Sequence, residues 1–362
     1  VTLTYRELAE NVERHSAVLS ARGHHGDRVA IVGDNSADYV VALYAVPMAG
    51  RVLTLVNQRL HPGEQARLVD RVEASVVIGD VDPVAALRAA DPAAADRWWT
   101  PFESPRSETG PDPLSRRVSS ESEPDVPAWL IHTSGTTGPP KAVPLSQANL
   151  RAAIDAGARG RPVTPGDVYL FPFPLCHVAA YNVLLQHHHG ATIVLSRGFD
   201  AERTLAAVEG HGVTTMSLAP TMIVRLLEHP ATMTTDLSTL RSIGYGAAAL
   251  PDEVRARAED MLGCVLVEGY GMTELAGNAA FDRMPDEAID LRVVDEQGTE
   301  VPTGAPGEIV ARGPQVMGGY RHDAEATTDS FVDGWFRTGD IGRFDESGRL
   351  AVIDRRKDII IT

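Results

Sequence analysis

The feature that most constrains the fold is an alternation of short apolar strands with amphipathic helices, present from the start of the chain and resumed after Ala128. Thr4-Tyr5-Arg6-Glu7 has the form of a capping box, and Leu8, Val12 and Leu19 follow at helical spacing to a stop at Gly23. Arg28 to Gly33 reads as a buried strand, Asn35 as the cap of a helix running to about Met48, and Val52 to Val56 as a second strand. A helix after Pro62 leads to Ser75-Val76-Val77-Ile78. Further strands are expected at Ala128 to Ile131, Val168 to Phe171, Thr192 to Leu195, Thr214 to Leu218, Ser242 to Tyr245 and Val265 to Val267. Strands without internal polar alternation, separated by helices, are buried on both faces, so the pattern predicts an α/β fold of parallel sheets covered by helices.

Two stretches depart from this rhythm. Residues Asp80 to Asp125 open Ala-rich and helix-like, then turn polar with Pro, Ser and Glu from Pro101 onward, and read as an exposed connection. After Phe281 strands and turns replace helices, with Ile289 to Val294 and Gly307 to Gly313 as strands of a small β subdomain. The expected division is therefore 1–281 for the α/β subdomains and 282–353 for the β subdomain. At 362 residues the chain is long enough for more than one subdomain. A hydrophobic content of 43% without any run of about 20 apolar residues excludes a transmembrane segment from the expectation. The net charge of −16 argues against nucleic acid as a partner. Cys176 and Cys264 stand far apart and form no metal pattern, which fits a reducing, cytoplasmic setting.

A phosphate grip is the chemistry suggested by Thr133-Ser134-Gly135-Thr136-Thr137-Gly138-Pro139-Pro140-Lys141. Two glycines allow close backbone approach, hydroxyls and backbone N–H groups donate to phosphate oxygens, and Lys141 adds a fixed positive charge. It is not the G-x-x-x-x-G-K-[ST] loop, because two prolines separate Gly138 from Lys141 and Ala142 follows.

This loop, the run Tyr270-Gly271-Met272-Thr273-Glu274, the segment Gly334-Trp335-Phe336-Arg337-Thr338-Gly339-Asp340 and the terminal Asp354-Arg355-Arg356-Lys357-Asp358 resemble, in order and spacing, motifs of the adenylate-forming (AMP-binding) superfamily, most closely an acyl-CoA synthetase. The resemblance implies the large N-terminal domain of that fold. It also implies a two-step reaction: a carboxylic acid and ATP give an acyl-adenylate and pyrophosphate, and the thiol of CoA then displaces AMP. Thr133 to Gly138 would cradle the β- and γ-phosphates with Lys141 nearby. Glu274 would hold Mg²⁺ and Thr273 would meet the α-phosphate. Gly246-Ala247-Ala248 and Glu268-Gly269-Tyr270-Gly271-Met272 would form the adenine site, with Asp340 on the ribose hydroxyls and Arg355 supporting the ribose.

The segment Pro172 to His177 resembles the family stretch that borders the substrate carboxylate, which makes His177 a pocket residue. Adjacent side chains on an extended chain point apart, so Cys176 and His177 are a poor nucleophile pair. Val178, Ala179, Ala180 and Tyr181, with Gly244, Tyr245, Gly246 and Ala247, are the expected acyl lining, uncharged and mostly small. They suit an apolar acyl or aryl tail over a dicarboxylate, and a fatty acid is the expected substrate. An aryl acid, a carrier-protein thiol as acceptor, or a nucleotide-binding homologue without turnover are the alternatives. No Asp lies between Leu175 and Asn182 to pair a substrate ammonium, which disfavours amino-acid activation. His187-His188-His189 reads as a helix end before Gly190 rather than a metal site. The family's Gly/Pro-rich lead into the β subdomain is absent between Phe281 and Ile289. Lys357 matches the hinge, with 354–362 its start, so the rotating C-terminal domain and its lysine are expected to be missing.

Overall fold

In the computed structural model, the described residues are 1–21, 23–101, 126–133 and 140–355. They divide into two compact units, one of 1–147 with 174–180, the other of 148–173 with the residues from 181 onward.

The first unit is built on a sheet of six strands, β1 (Arg28–Val32), β2 (Val52–Val56), β3 (Ala74–Gly79), β4 (Trp98–Pro101), β5 (Pro127–Thr133) and β6 (Lys141–Ser146), in the order β4-β3-β1-β2-β5-β6. All neighbours are parallel except β5 and β6. Its helices are α1 (Tyr5–Ser20), α2 (Ala37–Met48), α3 (Pro62–Arg71) and α4 (Val81–Ala90). Ala30, Val32, Val52, Val56, Val77 and Leu130 pack with Ala66, Val69, Val84 and Leu87 of α3 and α4. Trp129 points to the other face, where its indole N–H donates to the Leu43 carbonyl of α2 at 3.3 Å. Both faces of the sheet are thus covered, which is why its strands carry no polar alternation.

The capping box at Thr4 and Glu7 forms as expected. Ser36, not Asn35, caps α2, its hydroxyl accepting from the Tyr39 N–H. The Asn35 amide oxygen instead accepts from the backbone N–H of Leu175 at 2.8 Å. Trp98–Pro101 is a strand that extends the parallel sheet, where the sequence suggested a connection; two tryptophans in register with Val76 and Val77 supply the edge. Residues 102–125 of that connection lie outside the described residues.

The second unit carries two sheets. One comprises β7 (Val168–Phe171), β8 (Thr192–Leu195), β9 (Thr215–Leu218), β10 (Ser242–Gly246), β11 (Val265–Met272), β12 (Gly277–Phe281) and β13 (Met284–Pro285), in the order β13-β12-β11-β10-β9-β7-β8. The strands from β7 to β11 pair in parallel, and β12 and β13 close the edge antiparallel. Its helices are α5 (Gln147–Gly160), α6 (Tyr181–His188), α7 (Ala201–His211), α8 (Pro220–Glu228) and α9 (Asp252–Leu262). One face is a hydrophobic core in which Leu170, Met216, Ile243, Tyr245 and Leu266 meet Leu205, Ile223 and Ala258 of α7, α8 and α9. The third sheet is antiparallel, formed by β14 (Asp290–Val294), β15 (Gly307–Arg312), β16 (Phe331–Val332), β17 (Trp335–Phe344) and β18 (Leu350–Arg355), with the short α10 (Ala324–Ser330) before β16.

Between Phe281 and Ile289, where the family's Gly/Pro-rich lead is absent, the chain begins with a hairpin. Asp282 and Arg283, both at positive φ (45° and 68°), form the two-residue turn that joins β12 to β13. Just beyond it, Asp286 receives two hydrogen bonds from Arg159 at the end of α5, at 2.6 and 2.8 Å. Burial alone would raise the Asp286 pKa, but the Arg159 bonds, the Ala288 N–H and the Arg159 charge outweigh it and hold the carboxyl below its ordinary value. This pair ties the hairpin to α5. Among the described residues no helix is long and apolar enough to cross a membrane.

Removing one partner of such a pair leaves a buried carboxylate uncompensated. Arg159→Ala is expected to destabilise the protein by about 2–4 kcal/mol in urea denaturation at pH 7. Because the folded pKa of Asp286 is depressed, its contribution is present above the unfolded pKa and lost as pH falls through the lower folded value. The difference between variant and wild type is therefore expected to shrink below about pH 4. A variant within about 0.5 kcal/mol of wild type at pH 7 would show that the pair does not secure the hairpin.

Candidate active site

In the first unit, the antiparallel pairing of β5 with β6 sets Thr133 directly opposite Lys141. The ends of the suggested phosphate loop are therefore held at the mouth of a hairpin. The Pro140 carbonyl at its return accepts from Arg71 at 2.8 Å. Ser134, Gly135, Thr136, Thr137 and Gly138 lie outside the described residues, as does Lys357.

The segment Leu175–Ala180 is a turn followed by a short 3-10 helix rather than the extended chain the sequence suggested. The His177 N–H meets the Pro174 carbonyl at 3.3 Å, and the Ala180 N–H meets His177 at 3.0 Å. Cys176 and His177 are nevertheless no catalytic dyad, for a different reason. The Cys176 thiol is buried, 3.7 Å from the Gln58 side-chain oxygen, and burial pushes its pKa up to about 12. His177 keeps solvent-facing area, while surrounding protein and then the Arg59 charge lower its pKa, favouring the neutral ring. Val178 and Ala179 are half-buried and Ala180 is buried.

In the second unit, the parallel pairing sets Gly246, the last residue of β10, beside Gly269 of β11, on the side where open α/β sheets take their ligands. No side chain fits here. A Cβ on Gly246 would lie 2.4 Å from the Gly269 carbonyl oxygen, and one on Gly271 would lie 2.0 Å from that of Gly277. Ala247, at φ 67°, and Ala248 continue the chain as an exposed turn. Strand alternation puts Gly244 and Gly246 on one face. Tyr245 falls on the other, in the hydrophobic core with Arg255 over its ring, and so is separated from the lining it was grouped with. Glu268 is likewise occupied elsewhere, ion-paired with Arg283 at 3.1 Å. Tyr181 is buried, its ring about 3.0 Å from where a Gly277 side chain would begin.

Beyond β11, Thr273–Leu275 form one 3-10 turn, ended by Ala276 at φ 56°. Glu274 is held from outside this turn. Its backbone oxygen accepts from the Met317 N–H at 2.9 Å, and its Oε1 accepts from the Tyr320 hydroxyl at 2.9 Å. Gln315 fastens the same segment through the Leu275 and Asn278 carbonyls. Tyr320 was not singled out in the sequence; a tyrosine after two glycines carries no local signal, and only the fold brings it to a carboxylate forty-six residues away.

Asp340 lies buried in β17, directly opposite Arg355 of β18. Tyr270 donates to one carboxylate oxygen at 3.0 Å, and Arg355 Nε lies 3.3 Å from the other. Burial raises the Asp340 pKa above its ordinary value, and the Tyr270 bond and Arg355 charge only partly offset this. Three residues from separate motifs, Tyr270, Asp340 and Arg355, are thereby brought into one cluster. His187 and His188 end α6 and Gly190 follows at φ 77°, the helix end expected. Among the described residues no group of three or more His, Cys, Asp or Glu forms a metal cage.

Burial also pushes Cys264 up to about 12. Both thiols are expected to react with a thiol reagent at pH 8 slower in the native protein than in denaturant by on the order of 10²-fold or more, read as the rate of colour release. Native labelling of Cys176 at the denatured rate would reopen the possibility of a cysteine nucleophile.

A family model described as "AMP-binding enzyme" matches residues 1–321. A feruloyl-CoA synthase of Amycolatopsis sp is 35% identical over 384 aligned residues, covering 99% of this chain and 75% of that protein. The indoleacetate–CoA ligase of Aromatoleum aromaticum is 33% identical with the same coverage. Among solved structures, the N-terminal domain of FACL13 from Mycobacterium tuberculosis superposes with a TM-score of 0.89 at 27% identity, covering 98% of this chain and 93% of that one. The sheet order, the glycine-lined strand ends and these matches agree: the chain belongs to the AMP-binding enzyme family, and its fold is that of the N-terminal domain of the adenylate-forming ligases.

Proposed function

We propose that this protein activates a carboxylic acid with ATP to an acyl-adenylate, releasing pyrophosphate, and passes the acyl group to the thiol of CoA. The observation that carries this reading is the Tyr270–Asp340–Arg355 cluster, a buried carboxylate held at both oxygens in the unit that carries the glycine-lined strand ends. Asp340 would accept the ribose hydroxyls, and Gly246, Ala247, Ala248, Gly269 and Gly271 would let the adenine lie against backbone. In the first unit, Lys141 and the donors of the loop after Thr133 would meet the phosphates. His177 would border the substrate carboxylate as a neutral ring. The acid itself would attack, and the protein's contribution would be positioning and charge neutralisation. The feruloyl and indoleacetate relatives favour an aryl acid over the fatty acid expected from the sequence, and CoA over a carrier protein as acceptor.

Mg²⁺ is implied by the family. A single carboxylate, Glu274, oriented by Tyr320 and, among the described residues, outside any cage of acidic groups, suits an ion that takes one or two carboxylates and completes its shell with phosphates and water. When bound, Mg²⁺ would stabilise negative charge on the phosphates. Tyr320 would keep the carboxylate turned outward from its own turn.

Glu274→Gln is expected to fold as wild type by circular dichroism and to release pyrophosphate at least ~10²-fold more slowly in the presence of acid, ATP and Mg²⁺. A folded variant with near-normal release would remove Glu274 from the site.

A further inference from the structure

Gly244 was read as uncharged lining, but the space beside it holds a cation. A Cβ on Gly244 would lie 2.1 Å from Nη1 of Arg161, which follows the last residue of α5. The guanidinium spreads over the small, polar face of β9 and β10. Its Nη1 donates to Ser217 Oγ at 2.9 Å, and its Nη2 to Thr215 Oγ1 at 2.6 Å and to the Met216 carbonyl at 3.0 Å. Tyr169 shares Ser217, donating to the same oxygen at 2.8 Å. Every partner is neutral. Among the described residues no carboxylate pairs with Arg161, and its buried Nε has no partner. Buried or half-buried charges are ordinarily paired, because neutral acceptors return only part of the lost hydration.

The position of this charge on the strand gives it meaning. Ser242, Gly244 and Gly246 share one face of β10, with Ser242 and Gly244 in register with Thr215 and Ser217 on β9. Gly244 lies one two-residue step, about 6.6 Å, inward from Gly246 along the strand. If Gly246 borders the adenylate, an acyl tail that runs inward along this face ends at Arg161. A wholly apolar tail would remove water from the guanidinium and return nothing, whereas a tail ending in an oxygen acceptor would meet it.

We infer that Arg161 is a specificity-determining residue that reads a hydrogen-bond-accepting oxygen at the far end of the acyl group, so that the substrate is an oxygenated acid rather than a plain alkyl or aryl one. This rests on the acyl-adenylate reading above and revises the sequence's preference for an uncharged tail.

The test pairs phenylacetate with para-hydroxyphenylacetate and octanoate with suberate, in pyrophosphate release by the wild-type protein and by Arg161→Met. Wild type is expected to favour the oxygenated member of at least one pair by ~10-fold or more in kcat/KM, since a site built to hydrogen-bond rejects the analogue lacking the group. Arg161→Met is expected to bring that ratio within about 2-fold of unity. Preference for the plain acid in both pairs, or an unchanged ratio in the variant, overturns the inference. Should Arg161→Met not fold, Arg161→Gln, which keeps a neutral donor but carries no charge, is expected to lose the wild type's preference, in whichever pair shows it, by the same factor. If no acid supports pyrophosphate release, the adenylation reading fails on its own. Dissociation constants of the four acids by calorimetry then decide the Arg161 inference, with equal affinity within each pair counting against it.

Discussion

The proposed nucleotide site depends on the exclusion of side chains where β10 ends beside β11. The Gly269 carbonyl sits where a Cβ on Gly246 would have to be, and the Gly277 carbonyl does the same at Gly271. These close approaches keep side chains off the backbone where the adenine is proposed to lie, next to Ala247 and Ala248. The polar groups proposed to serve the ligand come from elsewhere. Asp340, the proposed ribose carboxylate, stands on the antiparallel sheet, held by Tyr270 and Arg355. Glu274 comes from the turn beyond β11, held by Tyr320 and the Met317 backbone.

The two faces of that sheet divide structure from chemistry. Ile243 and Tyr245 point into an apolar core shared with α7, α8 and α9. On the other face Thr215, Ser217, Ser242 and Gly244 carry hydroxyls or nothing, and Arg161 is laid across them. Such a face would be a poor place for helix packing, and it is a suitable wall for a ligand that brings its own apolar atoms and one oxygen. Stability resides in the first face and in locks such as Arg159 with Asp286. The second face is where the proposed selectivity would lie.

Much of this was legible in the sequence where local physics decides the outcome. Apolar runs such as Ala128–Ile131 and Val52–Val56 become buried strands whatever their neighbours, and the Thr4 capping box forms from residues three apart. What could not be read locally was pairing across the chain. The β5–β6 hairpin, the edge strand at Trp98 and the turn at Asp282–Arg283 depend on partners chosen by the fold. The same holds for single residues. Tyr245 beside Gly244 and Gly246 looks like lining until strand alternation turns it into the core, and Arg161 looks like a solvated residue at a helix end until Gly244 gives it space. Glu268 within the Glu268–Met272 run is diverted by Arg283, an ion pair that no spacing rule announces.

The most direct test of the account is amide hydrogen exchange of the protein with and without a non-hydrolysable acyl-adenylate analogue. If bare backbone at the strand ends seats the nucleotide, peptides spanning 246–248, 269–274 and 338–341 should exchange more slowly with the analogue bound, while the α7–α9 face of the same sheet stays unchanged. Saturating analogue that leaves those three stretches at their unliganded rates, with protection elsewhere, would contradict it.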